Sequence, residues 1–306
     1  MVALTGVLAA LALAQQTDTT FAVSPEARLD LSNYAGEIVI RTWERQAVRV
    51  RATHSSRDRI EIDASASVVR VRANSWQRWS DRFDVELDPA NARARVGIEQ
   101  SGRPAIVNFD VTVPARMALD LDGPYTDVVV EGVEGDVTVE VNEGDVIVRG
   151  GAGNVSAQSV DGDLRLENTR GRVRAIGIDG SIWIIGASGE VVAETTDGSI
   201  TLERISASTV EASSVDGSIV YAGAIRPGGW YSLVTHDGDV RLYIPDDTSA
   251  RITVARFDGE FVSDFPVTLP PRSQGRRATF TLGGGSARVE VETFDGDIEI
   301  RRSGRR

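Results

Sequence analysis

Carboxylates stand at one fixed place in this chain: Glu143, Asp161, Asp179, Asp197, Asp216, Asp237, Asp258 and Asp295 each directly precede a glycine. If folding stacks them in a column ~4.8 Å apart, neighbours repel by roughly 1 kcal/mol in a water-like dielectric. A ladder of Ca2+ ions would relieve that repulsion, because Ca2+ collects about six to eight oxygens from carboxylates and carbonyls. The alternative is structural: each Asp caps its own turn by accepting backbone N–H bonds, while the glycine supplies a positive φ. The residue after the glycine favours the cap. It is Asp145 and Asp163 early, Ser181, Ser199 and Ser218 in the middle, then Asp239, Glu260 and Asp297, so the second acid is missing where the pattern is most regular. The chain also lacks the Gly-Gly-x-Gly-x-Asp form of calcium-binding repeats. The sequence therefore predicts structural turns and no cofactor, with calcium as the alternative.

Paired carboxylates can also perform acid/base chemistry on glycosides, and some polysaccharide-cleaving enzymes use β-helical scaffolds. Here the acids recur with the turns, as architecture requires, and Asp246-Asp247 is the one pair in the stack outside the pattern. With only His54 and His236 and no cysteine, nucleophile triads and histidine-rich metal sites have little material. His236 holds the position occupied in other repeats by Val160, Ile178, Thr196 and Val215, which marks it as a repeat variant. The expectation is a protein without catalysis, with a β-helical carbohydrate-active enzyme as the remaining alternative.

The elements that must position these residues follow from a second regularity. Glycine recurs every nine residues at Gly135, Gly144, Gly153, Gly162, Gly171, Gly180, Gly189 and Gly198. Between the glycines apolar and polar residues alternate, the period of a strand with one buried face. Each unit is too thin to bury a core alone and must stack on its neighbours. The fold class is all-β: a single-stranded parallel β-solenoid with two short strands per coil. Acid-glycine turns follow one another at 18, 18, 18, 19, 21 and 21 residues from Gly144 to Gly259. One sheet should bury Val146/Val148, Leu164/Leu166, Ile182/Ile184, Ile200/Leu202, Ile219/Tyr221 and Val240/Leu242. The other should bury Val137/Val139, Val155/Ala157, Val173/Ala175, Val191/Ala193 and Val210/Ala212, whose alanines let the sheets approach.

Residues 21–114 read as a β-rich N-terminal region continuous with the stack, in which Asn33-Tyr34-Ala35-Gly36-Glu37-Ile38 resembles one degenerate repeat. Residues 115–300 form the solenoid, with prolines in an irregular C-terminal cap and Asp295-Gly296-Asp297 closing the array. Residues 75–81 are a candidate short helical or loop insertion. Residues 1–14 read as a signal peptide, an apolar run ending in Ala12-Leu13-Ala14 that is too short to span a bilayer. Its departure from the usual pattern is the absence of Lys or Arg before it. The expected location is secreted or periplasmic, without a transmembrane segment. Residues 301–306 are a basic tail.

The strand ending in Val113-Pro114-Ala115, followed by coils of the form Asp-Gly-Asp/Ser-apolar-x-apolar, resembles the bacterial putative-adhesin family of domains of unknown function over about residues 105–300. The resemblance implies an envelope-exposed β-solenoid without established catalysis. Net charge of −12 argues against general nucleic-acid binding; the 33 basic residues are all arginine, which a GC-rich coding bias explains. Outward positions supply the candidate binding face: Ile147, Arg165, Trp183, Val220 and Arg241 fall on one broad sheet, with Trp183 as the anchor. The expected partner is an envelope glycan or protein surface. A second candidate, Arg70, Arg72, Trp76, Arg78, Trp79 and Arg82, mixes cations with aromatics.

Overall fold

The computed structural model describes residues 15–55, 58–73, 85–88, 93–96, 106–267 and 277–304. The signal-peptide run, the 75–81 insertion, Trp76, Arg78, Trp79, Arg82 and the last two arginines of the tail lie outside them. Apart from a small antiparallel hairpin, Val85–Asp88 with Arg93–Val96, all the described strands join one sheet that winds into an all-β solenoid.

Each regular coil contributes two strands, and each strand pairs in parallel with its counterpart one coil away. On one side Val137 pairs with Val155, Val155 with Val173, and Val173 with Val191. On the other, Val146 pairs with Leu164, Leu164 with Ile182, and Ile182 with Ile200. Every inward pair expected from the alternation is buried. Large aliphatics on one sheet face Val-plus-Ala on the other, so two short strands close a thin core without a third wall.

The two glycine columns have different causes. At the acid turns the glycines adopt positive φ, from +140° to +155° between Gly144 and Gly238. At the opposite turns Gly153, Gly171 and Gly189 need no special φ, but a Cβ on any of them would strike the glycine backbone of the coil before it. Close stacking at both edges is what fixes the period of nine.

The stack departs from chain order at both ends. Strands Arg28–Ser32 and Ala35–Trp43 form a coil that pairs in parallel with Ala118–Glu131 on one side. On the other side the same coil pairs with Val68–Ala73 and Asn108–Pro114, which come later in the sequence but lie further out. Antiparallel strands Ile60–Ala64 and Ala47–His54 cover that outer coil, and Gln15–Ala22 covers the latter. At the far end, Ala287–Asp295 and Ile298–Arg302 insert between the coil 230–244 and the coil containing Ala250–Asp258 and Phe261–Ser263. Asp295-Gly296 therefore does not close the array; Asp258-Gly259 does, with Arg277–Leu282 added antiparallel outside it. A terminal coil held on its inner face by a later segment cannot fray from a free chain end. Antiparallel cover strands also occupy edges that would otherwise template association.

Candidate functional site: the acid-glycine edge

Five of the acid turns share one anatomy, while Val141, Gly177 and Arg256 hold the corresponding place before Gly144, Gly180 and Gly259. Three residues before the glycine stands a hydroxyl, buried as the strand alternation requires: Ser159, Thr195, Ser214, Thr235 and Thr293. Each donates to a glycine carbonyl on the adjacent coil, Ser214 to Gly198 at 3.0 Å, Thr235 to Gly217 at 2.8 Å and Thr293 to Gly238 at 2.9 Å. These carbonyls sit where the chain bends too sharply for a ladder bond, and the hydroxyl satisfies them.

The two residues between hydroxyl and glycine both point out, because the strand turns there. The first makes an apolar rail in register along the rod: Val160, Ile178, Thr196, Val215, His236, Phe294 and Phe257. Its apolar members keep 45–50% of their surface exposed. Towards the C-terminal end the rail becomes aromatic, with His236 stacked on Phe294 at 4.8 Å and Phe294 on Phe257 at 4.5 Å, nearly parallel.

The second outward residue makes the carboxylate rail. Glu143, Asp161, Asp179, Asp197, Asp216, Asp237, Asp295 and Asp258 are all exposed and follow one another in register. Among the described residues none of them forms an ion pair with an arginine.

The expected cap is displaced by two residues. Among the described residues, only Asp258 accepts from its own turn, from Gly259 N at 2.8 Å. At Asp145, Asp163, Ser218, Asp239 and Asp297 the residue after the glycine does the capping, and it reaches to the next coil. Asp145 accepts from Asp163 N, Asp163 from Ser181 N and Asp239 from Asp297 N, each at 2.9 Å, and Asp297 accepts from Glu260 N at 2.7 Å. These bonds stitch coil to coil instead of closing a turn. They also engage one oxygen each of Asp145, Asp163, Asp239 and Asp297, and the middle turns carry Ser181, Ser199 and Ser218 in place of a second acid. Among the described residues no group of three or more His, Cys, Asp and Glu is placed to hold a metal, and the donor set does not fit a calcium ladder.

The broad-face residues Ile147, Arg165, Trp183, Val220 and Arg241 do fall in one column, with Thr201 between Trp183 and Val220. All are partly buried. Arg165 is paired with Glu167, and Arg241 with Asp239 at 2.6 Å and Glu299 at 3.6 Å. This face is a sheet of half-covered apolar residues laced by ion pairs, and its cations are already engaged. Of the arginine-aromatic cluster, Arg70 is paired with Asp30 at 3.3 Å.

A recess of about 540 Å3 opens at the N-terminal end of the edge, lined in part by Ser32, Tyr34, Arg72, Asp122 and Asn142. Burial pushes the Asp122 carboxyl above the usual carboxylate range, opposed by a hydrogen bond from Ser32 at 2.8 Å. The Asp122 residue nevertheless stays exposed at the surface. The recess is thus open to water and not an enclosed reaction site.

With the two-strand coils and their turns in place, the comparison with protein families is direct: the model of Toastrack DUF4097 matches residues 27–301. The chain belongs to the Toastrack family. Among solved structures, this Toastrack chain is similar to a putative adhesin from Bacteroides fragilis, at 14% identity over 94% of this chain and 97% of that one, with a TM-score of 0.39. It is also similar to a putative cell adhesion protein from Clostridium sporogenes, at 10% identity over 94% of this chain and all of that one, with a TM-score of 0.22. At these scores neither likeness extends to function. No curated protein matches the chain. Among its described residues, no helix is long and apolar enough to cross a membrane.

Val160, Ile178, Thr196, Val215 and His236 were legible as one column, but that the column faces outward as an apolar rail was not read from the sequence, although its signal was present. Counting by twos from Val155 through Ala157 to Ser159 places Val160 outward, and the same count exposes Ile178 and Val215.

Proposed function

We propose that this Toastrack protein is a non-enzymatic, adhesin-like protein of the cell envelope, which binds through the surface of a rigid solenoid. The observation that carries the reading is the apolar rail. Exposed apolar residues scattered singly are ordinary, but Val160, Ile178, Val215, Phe294 and Phe257 are aligned along one edge, which is how interaction surfaces are marked. The rail is held rigidly by a stacked glycine in each turn, by buried hydroxyls in five of its turns, and by caps to the next coil from Asp163, Ser218, Asp239 and Asp297. Rigidity lowers the ordering cost of binding, and repetition along the rod allows several weak contacts to act together. The apolar run over residues 1–14, read as a signal peptide, supports a location outside the cytoplasm.

The partly buried column Ile147, Arg165, Trp183, Val220 and Arg241 is the second candidate surface, with Trp183 as its anchor. The two are separated by measuring binding to a panel of envelope glycans and surface proteins, with calcium and with EDTA. Loss in Ile178→Ser/Val215→Ser and retention in Trp183→Ala assigns the edge. The reverse pattern assigns the broad face, loss on chelation restores the calcium ladder, and product release from a glycan overturns the non-enzymatic reading.

A further inference from the structure

Resting on the reading that the edge is the binding surface, we infer that its partner is a basic amphipathic helix, lying along the rod with its apolar stripe on the Val160–Phe257 rail and its cations on the carboxylate rail.

Three features of the edge select this occupant. The first is charge. The exposed carboxylates run beside the apolar rail, one residue away along the chain in every turn, and are unpaired among the described residues. An uncharged or acidic partner would leave their mutual repulsion in place or add to it, whereas a row of Lys or Arg relieves it.

The second is spacing. Coils repeat every ~4.8 Å, close to the ~5.4 Å pitch of an α-helix, so an i, i+3/i+4, i+7 stripe meets about one coil per turn. From Val160 to Phe257 the rail spans six coil steps, about 29 Å, the length of a helix of about 19 residues. An extended strand places same-side residues about 6.7 Å apart and falls out of step with the coils within two or three of them.

The third is the orientation of the rings. A saccharide packs on the face of an aromatic ring. Here His236, Phe294 and Phe257 lie against one another at 4.8 and 4.5 Å, with interplanar angles of 21° and 7°. Phe294 in particular has a ring on each side, so its edge is what it offers to solvent. Such a row suits aliphatic side chains lodging between coils better than it suits sugar rings.

The test uses the whole chain and three labelled 19-residue peptides followed by fluorescence anisotropy. One is a Leu/Lys amphipathic helix, one has the same composition scrambled so that no apolar face forms, and one carries Glu in place of Lys. The expected result is binding of the Leu/Lys helix about tenfold or more tighter than the scrambled peptide, and no binding of the Leu/Glu helix. Binding should weaken about tenfold in Ile178→Ser/Val215→Ser. It should also weaken, with a shallower salt dependence, in Asp179→Asn/Asp216→Asn, a pair of exposed changes that leaves the core untouched. Equal binding of the scrambled peptide, or undiminished binding by both variants, overturns the inference. If no helix binds while the envelope panel yields a ligand lost in the edge variant, the inference fails and the assignment of the edge as the binding surface stands.

Discussion

Replacing single glycines by alanine separates the two forces that set the repeat. At Gly180, φ is +140°, and an added Cβ would lie 2.8 Å from the carbonyl carbon of Gly162, with its oxygen nearer still. Gly180→Ala therefore incurs backbone strain of about 1–3 kcal/mol and a clash with backbone that cannot rotate away, about 1–3 kcal/mol more. At Gly228, φ is +74° but nothing lies within 4 Å of the added Cβ. Gly228→Ala should cost only the left-handed backbone, about 1–2 kcal/mol. Gly171 is the complement: its φ is ordinary, but the Cβ would lie 2.6 Å from the carbonyl carbon of Gly153, so its cost is steric, about 1–3 kcal/mol. Urea unfolding followed by circular dichroism and tryptophan fluorescence measures all three, and divergence of the two probes would reveal coils unfolding independently. Gly180→Ala should be the most destabilised, by about 2–6 kcal/mol, a large part of the stability of an ordinary domain. Were Gly180→Ala no worse than Gly228→Ala, close stacking of the turns would not be what holds the glycine column.

Further expectations follow from the turns and the core. Thr235→Val removes the hydroxyl that satisfies Gly217 O at 2.8 Å in a site only 2% exposed, and should cost about 1–3 kcal/mol in the same urea assay. EDTA should move the melting temperature by less than about 1 °C, because Ser181, Ser199 and Ser218 replace the second acid in the middle turns and calcium would otherwise stabilise the folded state. Alkali should unfold the protein through its tyrosines. Burial raises the hydroxyls of Tyr221 and Tyr231 above the usual tyrosine value, so the folded state keeps protons that the unfolded chain releases. Stability should hold below pH ~10 and then fall as pH rises, by up to about 1.4 kcal/mol per unit for each tyrosine. The absence of lysine and cysteine leaves the five tyrosines as the side chains that titrate there, which makes urea midpoints between pH 8 and 11 a clean measurement. A flat profile to pH 11 would contradict the burial of this pair.

The inward columns were legible because a strand with one buried face writes its period of two directly into the sequence, and Val146, Leu164, Ile182 and Ile200 lie where that period puts them. Gly36 was legible from its place in a degenerate copy of the turn motif, and its φ of +120° and its pairing opposite Thr126 make it a true member of the turn column. Coil order at the ends was not legible. Asp237 stacks on Asp295, 58 residues away, and Asp295 on Asp258, pairings that depend on which loop returns and not on local spacing. Which acid caps was also hidden, since the residues before and after the glycine are both short and polar. Only the direction of the bend shows that Asp163 faces the next coil while Asp161 faces solvent.

The apolar rail is the surface proposed to meet a partner. Methyl NMR of the isoleucine- and valine-labelled protein, titrated with whichever ligand the envelope panel or the helix series yields, reads that surface directly. Shifts are expected to concentrate at Val160, Ile178 and Val215, with Ile147 and Val220 on the broad face unmoved. Shifts centred on Ile147 and Val220, with the rail silent, would contradict that assignment.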